Sequence, residues 1–237
     1  MKQLTIGNIT IDVIRKDIKN IHLAVYPPTG RVRIATPLKT SDEKVRLFAI
    51  SKLGWIKKHQ RNFDKQKRLP EKEFINRESH FYLGKRYLLN VIEQPGKQHL
   101  EIKHRHLNLF VKPRTSAGVK NQILNDWYRE RLKEMIPPLI EKWEKILKVK
   151  VNAFGVKRMK TKWGTCTIEA GRIWINLELA KKPVSCLEYI IAHEMVHLLE
   201  RHHNERFLAI LSKHLPNWKH LKDELNRLPL DHSDWVF

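Results

Sequence analysis

An α+β fold is expected from this 237-residue chain, and three patterns carry that expectation. Apolar and polar residues alternate with period two through much of the first 115 residues, as half-buried strands do. From about Ser116 the period lengthens to that of an amphipathic helix, with Val119, Ile123, Trp127 and Leu132 on one stripe. A strongly apolar run from Leu187 to Leu199 then encloses His193-Glu194-Met195-Val196-His197, an H-E-x-x-H set. The expected architecture is an antiparallel, β-rich N-terminal domain with one helix, residues 1–115, followed by a second domain, 116–237, built around the H-E-x-x-H helix.

In chain order, Leu4-Thr5-Ile6, Ile9 to Ile14 and Ile21 to Val25 alternate as strands. Pro27-Pro28-Thr29-Gly30 makes a turn into Arg31-Val32-Arg33-Ile34, and the four segments read as an antiparallel meander. Thr40-Ser41-Asp42-Glu43 resembles a capping box and opens a helix to about Lys67. Further strands are expected over His80–Leu83, Arg86–Glu93 and Leu100–Lys112, with Pro95-Gly96 turning between the last two. Pro137-Pro138 must kink or restart the long helix, since neither proline has a backbone N–H to donate. It resumes through Leu139, Trp143 and Ile146. Short strands around Val149–Val151, Gly155–Met159 and Ile173–Leu177 precede the H-E-x-x-H helix. No internal repeat and no low-complexity linker is visible, and the boundary near Ser116 is soft.

Composition narrows the class. A chain of this length can bury a sizeable core as one or two domains. No apolar stretch is long enough to span a bilayer, and Met1-Lys2-Gln3-Leu4 leads straight into alternating residues rather than a secretory signal. Two cysteines, Cys166 and Cys186, do not make a disulfide framework. Cys166 lies in the W-G-T-C segment, which allows a place near the site, but a small buried thiol is the better reading, and a reducing cytoplasm is the expected compartment. The net charge of +21 is unevenly placed: residues 1–150 carry 33 Lys and Arg against 15 Asp and Glu, residues 151–237 only 13 against 10. A field of this sign draws polyanions. Lys57-Lys58-His59-Gln60-Arg61 and Lys65-Gln66-Lys67-Arg68, with Trp55 and Phe63 interleaved, read equally well as a nucleic-acid-facing surface and as a solvated helix face.

The chemistry lies in the H-E-x-x-H set. Helical residues four apart share a face, so both imidazoles can reach one metal ion, with Glu194 placed to hold the water on it. Zinc makes such a water acidic enough to ionise near neutral pH, so the motif is a hydrolysis device. The competing view, a solvated stripe on an ordinary helix, fits poorly with a segment this apolar, where unpartnered polar groups are costly. Catalytic zinc usually has three protein ligands. His203 is six residues beyond His197, off the H-E-x-x-H face unless the helix stops or turns near Arg201. Asn204 can then cap a helix from Glu205 to about His214, closed by Pro216. His202 and Glu200 are the rivals of His203 for the third position.

Several segments together resemble the YgjP-like metallohydrolases, relatives of the SprT-like and small gluzincin peptidases. They are Met159 to Thr167 with its W-G-T-C, Gly171 to Leu177, Pro183, Leu187 to Leu198, and His203 to Phe207. The resemblance is strong over residues 155–218 and looser in the N-terminal half, at Arg31–Ile34 and Leu83–Tyr87. It implies a zincin-like metallopeptidase domain over 116–237, with His193, His197 and His203 as metal ligands and Glu194 as the catalytic carboxylate. His202 departs from the family pattern, where a small polar residue is more usual.

The chain is therefore expected to be a zinc-dependent hydrolase with one Zn²⁺ per chain. A metallopeptidase acting on protein or peptide is the favoured reading. A phosphohydrolase or pyrophosphatase acting on an anionic nucleotide is the alternative, and a nucleic-acid-binding protein with a non-catalytic metal site is the weaker one. The intact Glu194 speaks against the last. Nucleic acid is a further candidate partner through the basic N-terminal part. Lys160, Lys162 and Arg172 are cationic candidates for steadying an oxyanion. Trp163, Trp174 and Asn176 are candidates for the cleft, with core packing the better assignment for at least one tryptophan. Arg172–Leu177 would accept an extended peptide if it is an open edge.

Overall fold

Residues 2–26, 29–65, 72–159 and 162–227 are described by a computed structural model, with the side chains of residues 62–65 excepted. Lys160, Phe63 and the basic run 65–68 thus lie wholly or in their side chains outside the described residues. Packing divides the chain into two compact units, an N-terminal one within residues 1–70 and one over 71–228.

In the first unit, strand alternation does what the sequence period requires. β1 (Lys2–Ile6), β2 (Ile9–Lys16), β3 (His22–Tyr26) and β4 (Arg31–Pro37) form one sheet in the order β1-β2-β4-β3. Ile11, Val13, Val32 and Ile34 point into a core shared with Val45, Ala49 and Ile56 of the following helices. The sheet is not the expected meander. β4 lies between β2 and β3 and runs parallel to β2, while the outer pairs are antiparallel. β4 has partners on both sides and buries every second residue, Val32, Ile34 and Thr36. The single helix expected to Lys67 is two helices, α1 (Asp42–Ser51) and α2 (Leu53–Lys65). Ser41 caps α1 as its sequence suggests, accepting from the Lys44 N–H. The ladder breaks at Lys52, two residues before Gly54.

The second unit opens with a sheet of the same topology. β5 (Ser79–Tyr82), β6 (Lys85–Glu93), β7 (His99–Lys103) and β8 (His106–Val111) are ordered β5-β6-β8-β7, again with one parallel pair, β6 and β8, between antiparallel ones. The strand expected over 100–112 is divided by a two-residue turn at His104-Arg105. The correspondence between the sheets is close. Val13 faces Ile34 in the first and Val91 faces Leu109 in the second. Seven residues beyond Ile34 and Leu109, Ser41 and Ser116 each cap a helix. The sequence shows no repeat because the shared feature is a pattern of burial and register, which many side chains satisfy.

α3 (Ala117–Leu147) runs as one helix across Pro137 and Pro138; of the kink or restart expected there, the restart does not occur. The carbonyls that lose an N–H partner belong to Lys133 and Glu134, both exposed, where water can replace it. Tyr128, Leu132, Ile136 and Ile140 face the core. The Tyr128 hydroxyl donates to the Phe81 carbonyl at 2.6 Å, joining helix to sheet. β9 (Ala153–Lys157), β10 (Gly164–Thr167) and β11 (Arg172–Asn176) form a three-stranded sheet with β11 in the centre. No strand forms at 149–151. α4 (Val184–Val196), α5 (Glu205–His214) and α6 (Trp218–Arg227) complete the unit. The β5–β6 turn fixes the start of α4: Leu83 and Gly84 donate backbone hydrogen bonds to Ala180 and Lys181. Gly84 has φ +78°, and a Cβ there would meet Pro183 Cγ at 2.8 Å, so only glycine fits both the backbone and the contact. No helix among the described residues is long and apolar enough to cross a membrane.

Tyr128→Phe is expected to lower stability by about 0.5–1.5 kcal/mol in urea unfolding, because it removes the hydrogen bond to the half-buried Phe81 carbonyl. No measurable change would mean that the α3–sheet contact is held by packing alone.

Candidate metal centre

α4 is apolar all round, as a helix packed on several sides must be. Leu187, Ile190, Ile191, Ala192, Met195 and Val196 are buried on it. His193 and Glu194 lie in its last turn and His197 caps it. The chain then turns, with Leu199 and Glu200 both donating to the Val196 carbonyl. Asn204 starts α5 by accepting from the Phe207 N–H at 3.0 Å, the cap its sequence suggests. This turn returns His203 towards the end of α4.

Ligand-capable nitrogens of His193, His197 and His203 all lie within 4.8 Å of one another, and no other metal-capable cluster occurs among the described residues. His202 and Glu200 fall outside it; His202 is exposed and donates its N–H to the Glu200 carboxylate at 3.4 Å. The Nε2 atoms of His193 and His203 face each other at 2.9 Å. Two neutral lone pairs cannot face at that distance without a proton or a cation between them. His197 Nδ1 lies 3.1 Å from the Glu200 carbonyl, which fixes the Nδ1–H tautomer and leaves Nε2 as an acceptor. Phe207 packs against all three rings at 4.7–5.0 Å.

Electrostatics favour the neutral form of His193 and His203. Burial first, then His197, His203 and Lys222, holds the His193 ring down to about 3. His203 is lowered for the same leading reason. A metal would therefore compete with few protons for these nitrogens. The set fits a tetrahedral ion such as zinc, whose ligand nitrogens lie about 3.3 Å apart.

Glu194 is 5% exposed, and burial pushes its carboxyl up to about 8, against a lowering influence from Lys162. It lies against β10. A Cβ on Gly164 would meet Glu194 Oε1 at 2.6 Å, so the glycine of W-G-T-C makes room for the carboxylate. Asn176 has no exposed surface and does not line a cleft. Its amide donates to the Met159 and Lys162 carbonyls at 2.8 and 2.6 Å, and its oxygen accepts from the Glu178 N–H at 3.2 Å. It clamps the segment leading into β10. Trp163 is buried, and Trp174 packs over Gly155 with Lys157 Nζ 4.4 Å from its ring. Burial raises the Cys166 thiol to about 11, with Glu194 and Glu169 adding to it, so the thiol stays protonated as a packing group. Arg172 is exposed at the end of β11 opposite Asn176. Because β11 is interior, the three-stranded sheet has its edges at β9 and β10. Sequence reasoning missed Gly164, the clamp at Asn176 and the aromatic floor at Phe207. Only the glycine inside W-G-T-C hinted at a close approach.

Comparison with known proteins gives one family match. The model of the YgjP-like family, described as a metallopeptidase domain, matches residues 19–228. No curated protein matches. Among solved structures, the crystal structure of the metallopeptidase zymogen of Pyrococcus abyssi abylysin is similar at 20% identity and a TM-score of 0.35, over 37% of this chain and 89% of that one.

Gly164→Ala is expected to cost about 1–3 kcal/mol in urea unfolding as the new methyl group displaces the buried carboxylate. Glu194→Ala in the same chain should recover part of that loss, with a coupling of about 0.5–3 kcal/mol. Strict additivity of the two substitutions would show that they do not touch.

Proposed function

The chain belongs to the YgjP-like family of metallopeptidase domains, and from that premise we propose that it is a zinc-dependent peptidase in which His193, His197 and His203 hold one zinc ion and Glu194 handles the proton. The observation that carries this reading is the convergence of three imidazoles on one point beside a buried carboxylate. Zinc held there supplies a Lewis acid for the substrate oxygen and an acidified water. Three protein ligands leave room for that chemistry, whereas a structural site closes with four.

The remaining work belongs to the chain. The Glu200 carbonyl orients His197. Glu194 is backed by β10; as the carboxylate, the form a cation held by the three imidazoles would favour, it takes a proton from the attacking water and returns it to the leaving nitrogen. Lys162, whose charge acts on Glu194, is a described cation that would steady negative charge on the substrate. β10 has no second partner strand among the described residues, so a peptide can add to its edge next to Glu194.

A second reading keeps the same water and base but gives them an anionic nucleotide substrate. The excess of 33 basic over 15 acidic residues within 1–150 favours it. The same excess supports contact of the N-terminal part with nucleic acid. Two free cysteines suit a reducing cytoplasm.

Purified protein is expected to carry about one zinc per chain, measured by metal analysis. His203→Ala should lose it and His202→Ala should keep it; the reverse result would replace the third ligand. Glu194→Gln should retain zinc yet lose turnover by about 10²–10⁴-fold, and near-normal turnover would sink the mechanism. Zinc-loaded enzyme is then incubated with unfolded proteins, with and without DNA, and separately with nucleoside triphosphates. Peptide fragments that require Glu194 support the peptidase. Phosphate or pyrophosphate release that requires Glu194 would put the phosphohydrolase in its place.

A further inference from the structure

The shared topology of the two four-stranded sheets lets equivalent positions be compared, and one position differs in kind. In the first sheet Asp12 on β2 faces Arg33 on β4; in the second, Asn90 on β6 faces Asn108 on β8. Asp12 is only 5% exposed, but it is fully partnered. Arg31 Nε donates to it at 2.6 Å and Gln3 Nε2 at 3.1 Å. The first sheet thus supplies its own cation and its own anion at this point, and the polar face is closed.

At the same point in the second sheet there is a cavity of about 400 Å³, with Asn90 and Asn108 on its floor and Arg77, Lys103, His104 and His106 around it. Arg77 and Lys103 form no ion pair among the described residues. No carboxylate lines the cavity; the nearest on the floor row, Glu101, accepts from Asn108 Nδ2 at 3.4 Å. The two amides meet at 3.3 Å, Asn90 donating to Asn108. Both bonds are long, so the amides keep donors and acceptors for another partner. Two of the wall residues are also held in the left-handed backbone region, Arg77 at φ +66° and His104 at φ +55°. His104 stands in a two-residue hairpin turn where Asn or Gly is the usual choice. Two cationic side chains, Arg77 and Lys103, thus stand exposed beside a cavity that no carboxylate among the described residues lines.

We propose that this cavity binds a nucleotide. Its phosphate lies against Arg77, Lys103 and the two imidazoles, and its base edge meets the Asn90–Asn108 pair. An anion is what the unbalanced cations lack. A bare phosphate would use only donors, whereas a carboxamide offers a donor and an acceptor side by side, the pattern that matches a base edge. The volume falls within the range of small-molecule sites. The nucleotide can be free or one unit of a single strand. None of the residues proposed to hold zinc lies in the cavity, so the inference is independent of the peptidase reading.

The test is calorimetric titration of the zinc-loaded full chain with the four common nucleoside monophosphates, with inorganic phosphate and with short single-stranded oligonucleotides. At least one monophosphate is expected to bind saturably with one site per chain, and inorganic phosphate more weakly. Asn90→Asp copies the carboxylate of the first sheet into the cavity without changing side-chain shape, and should weaken nucleotide binding by roughly tenfold or more. Arg77→Asn, which the left-handed backbone accepts, should weaken it likewise and decides the matter if Asn90→Asp does not fold. Zinc content should be unchanged in both. If only the oligonucleotide binds, and does so in an Asn90-dependent way, the source is a strand. The proposal is overturned by the absence of saturable binding, by phosphate binding as tightly as the nucleotides, or by binding that ignores both substitutions and so belongs to the general basic surface.

Discussion

The constraint on which the second unit depends is the burial of polar chemistry inside α4. Its apolar faces bind it to the surrounding helices and strands, so Glu194 is buried and His193 and His197 are half-buried. Polar groups placed there need a partner or a space of their own. The neighbourhood answers these demands one by one. A turn after His197 supplies the Glu200 carbonyl, a capped helix start returns His203, and a glycine on β10 leaves space for the carboxylate. Asn176 then fixes the segment leading into that strand. One buried atom, His193 Nδ1, has no hydrogen-bond partner among the described residues, which leaves this ring held by packing and by whatever its Nε2 meets.

What could be read from the sequence follows from how local each signal is. The H-E-x-x-H face and the Asn204 cap depend on residues within one or two turns, and local spacing is enough to place them. The α+β class and most strands follow from the period-two pattern. Strand order does not. Nothing near Arg31–Ile34 says that β4 will pass between β2 and β3, because only the total burial of the sheet decides it. The break at Lys52 and the turn at His104-Arg105 escaped for a related reason, since neither carries a strong turn residue. Pro137-Pro138 points to a kink or a restart, and the restart does not occur because the lost hydrogen bonds fall on an exposed face. The domain boundary near Ser116 was placed where the period changes, but Tyr128 reaches back to Phe81, and compactness groups α3 with the sheet before it. The clamp at Asn176 joins residues 14 and 17 positions apart, beyond the reach of any local pattern.

The site and the rest of the chain pose different electrostatic problems. The basic excess lies within residues 1–150, while the stretch with the imidazoles is close to balanced. A net charge of +21 repels a divalent cation at long range, so long-range attraction would not favour a metal here. Short-range terms would have to, and burial supplies one of them. The desolvation that raises Glu194 also lowers His193. One physical cause thus moves an acid and a base in opposite directions, each towards its neutral form. A neutral imidazole is the form that binds metal, so the lowering of His193 would favour an ion there.

The same contrast explains why the two sheets can share a topology and differ in use. Both keep the register that buries Ile11, Val32 and Ile34 in one and Leu89, Leu107 and Leu109 in the other. Register is pinned by that apolar face, since a one-residue slip would expose all of it. The opposite face carries no such penalty and can change chemistry freely. In the first sheet it became a closed Asp12–Arg31–Gln3 group. In the second it became a row of amides rimmed by cations, where the missing element is an anion. A fold built from one register used twice thus separates what stability needs from what recognition needs. The residues that keep each sheet standing are not those that decide what each sheet can bind.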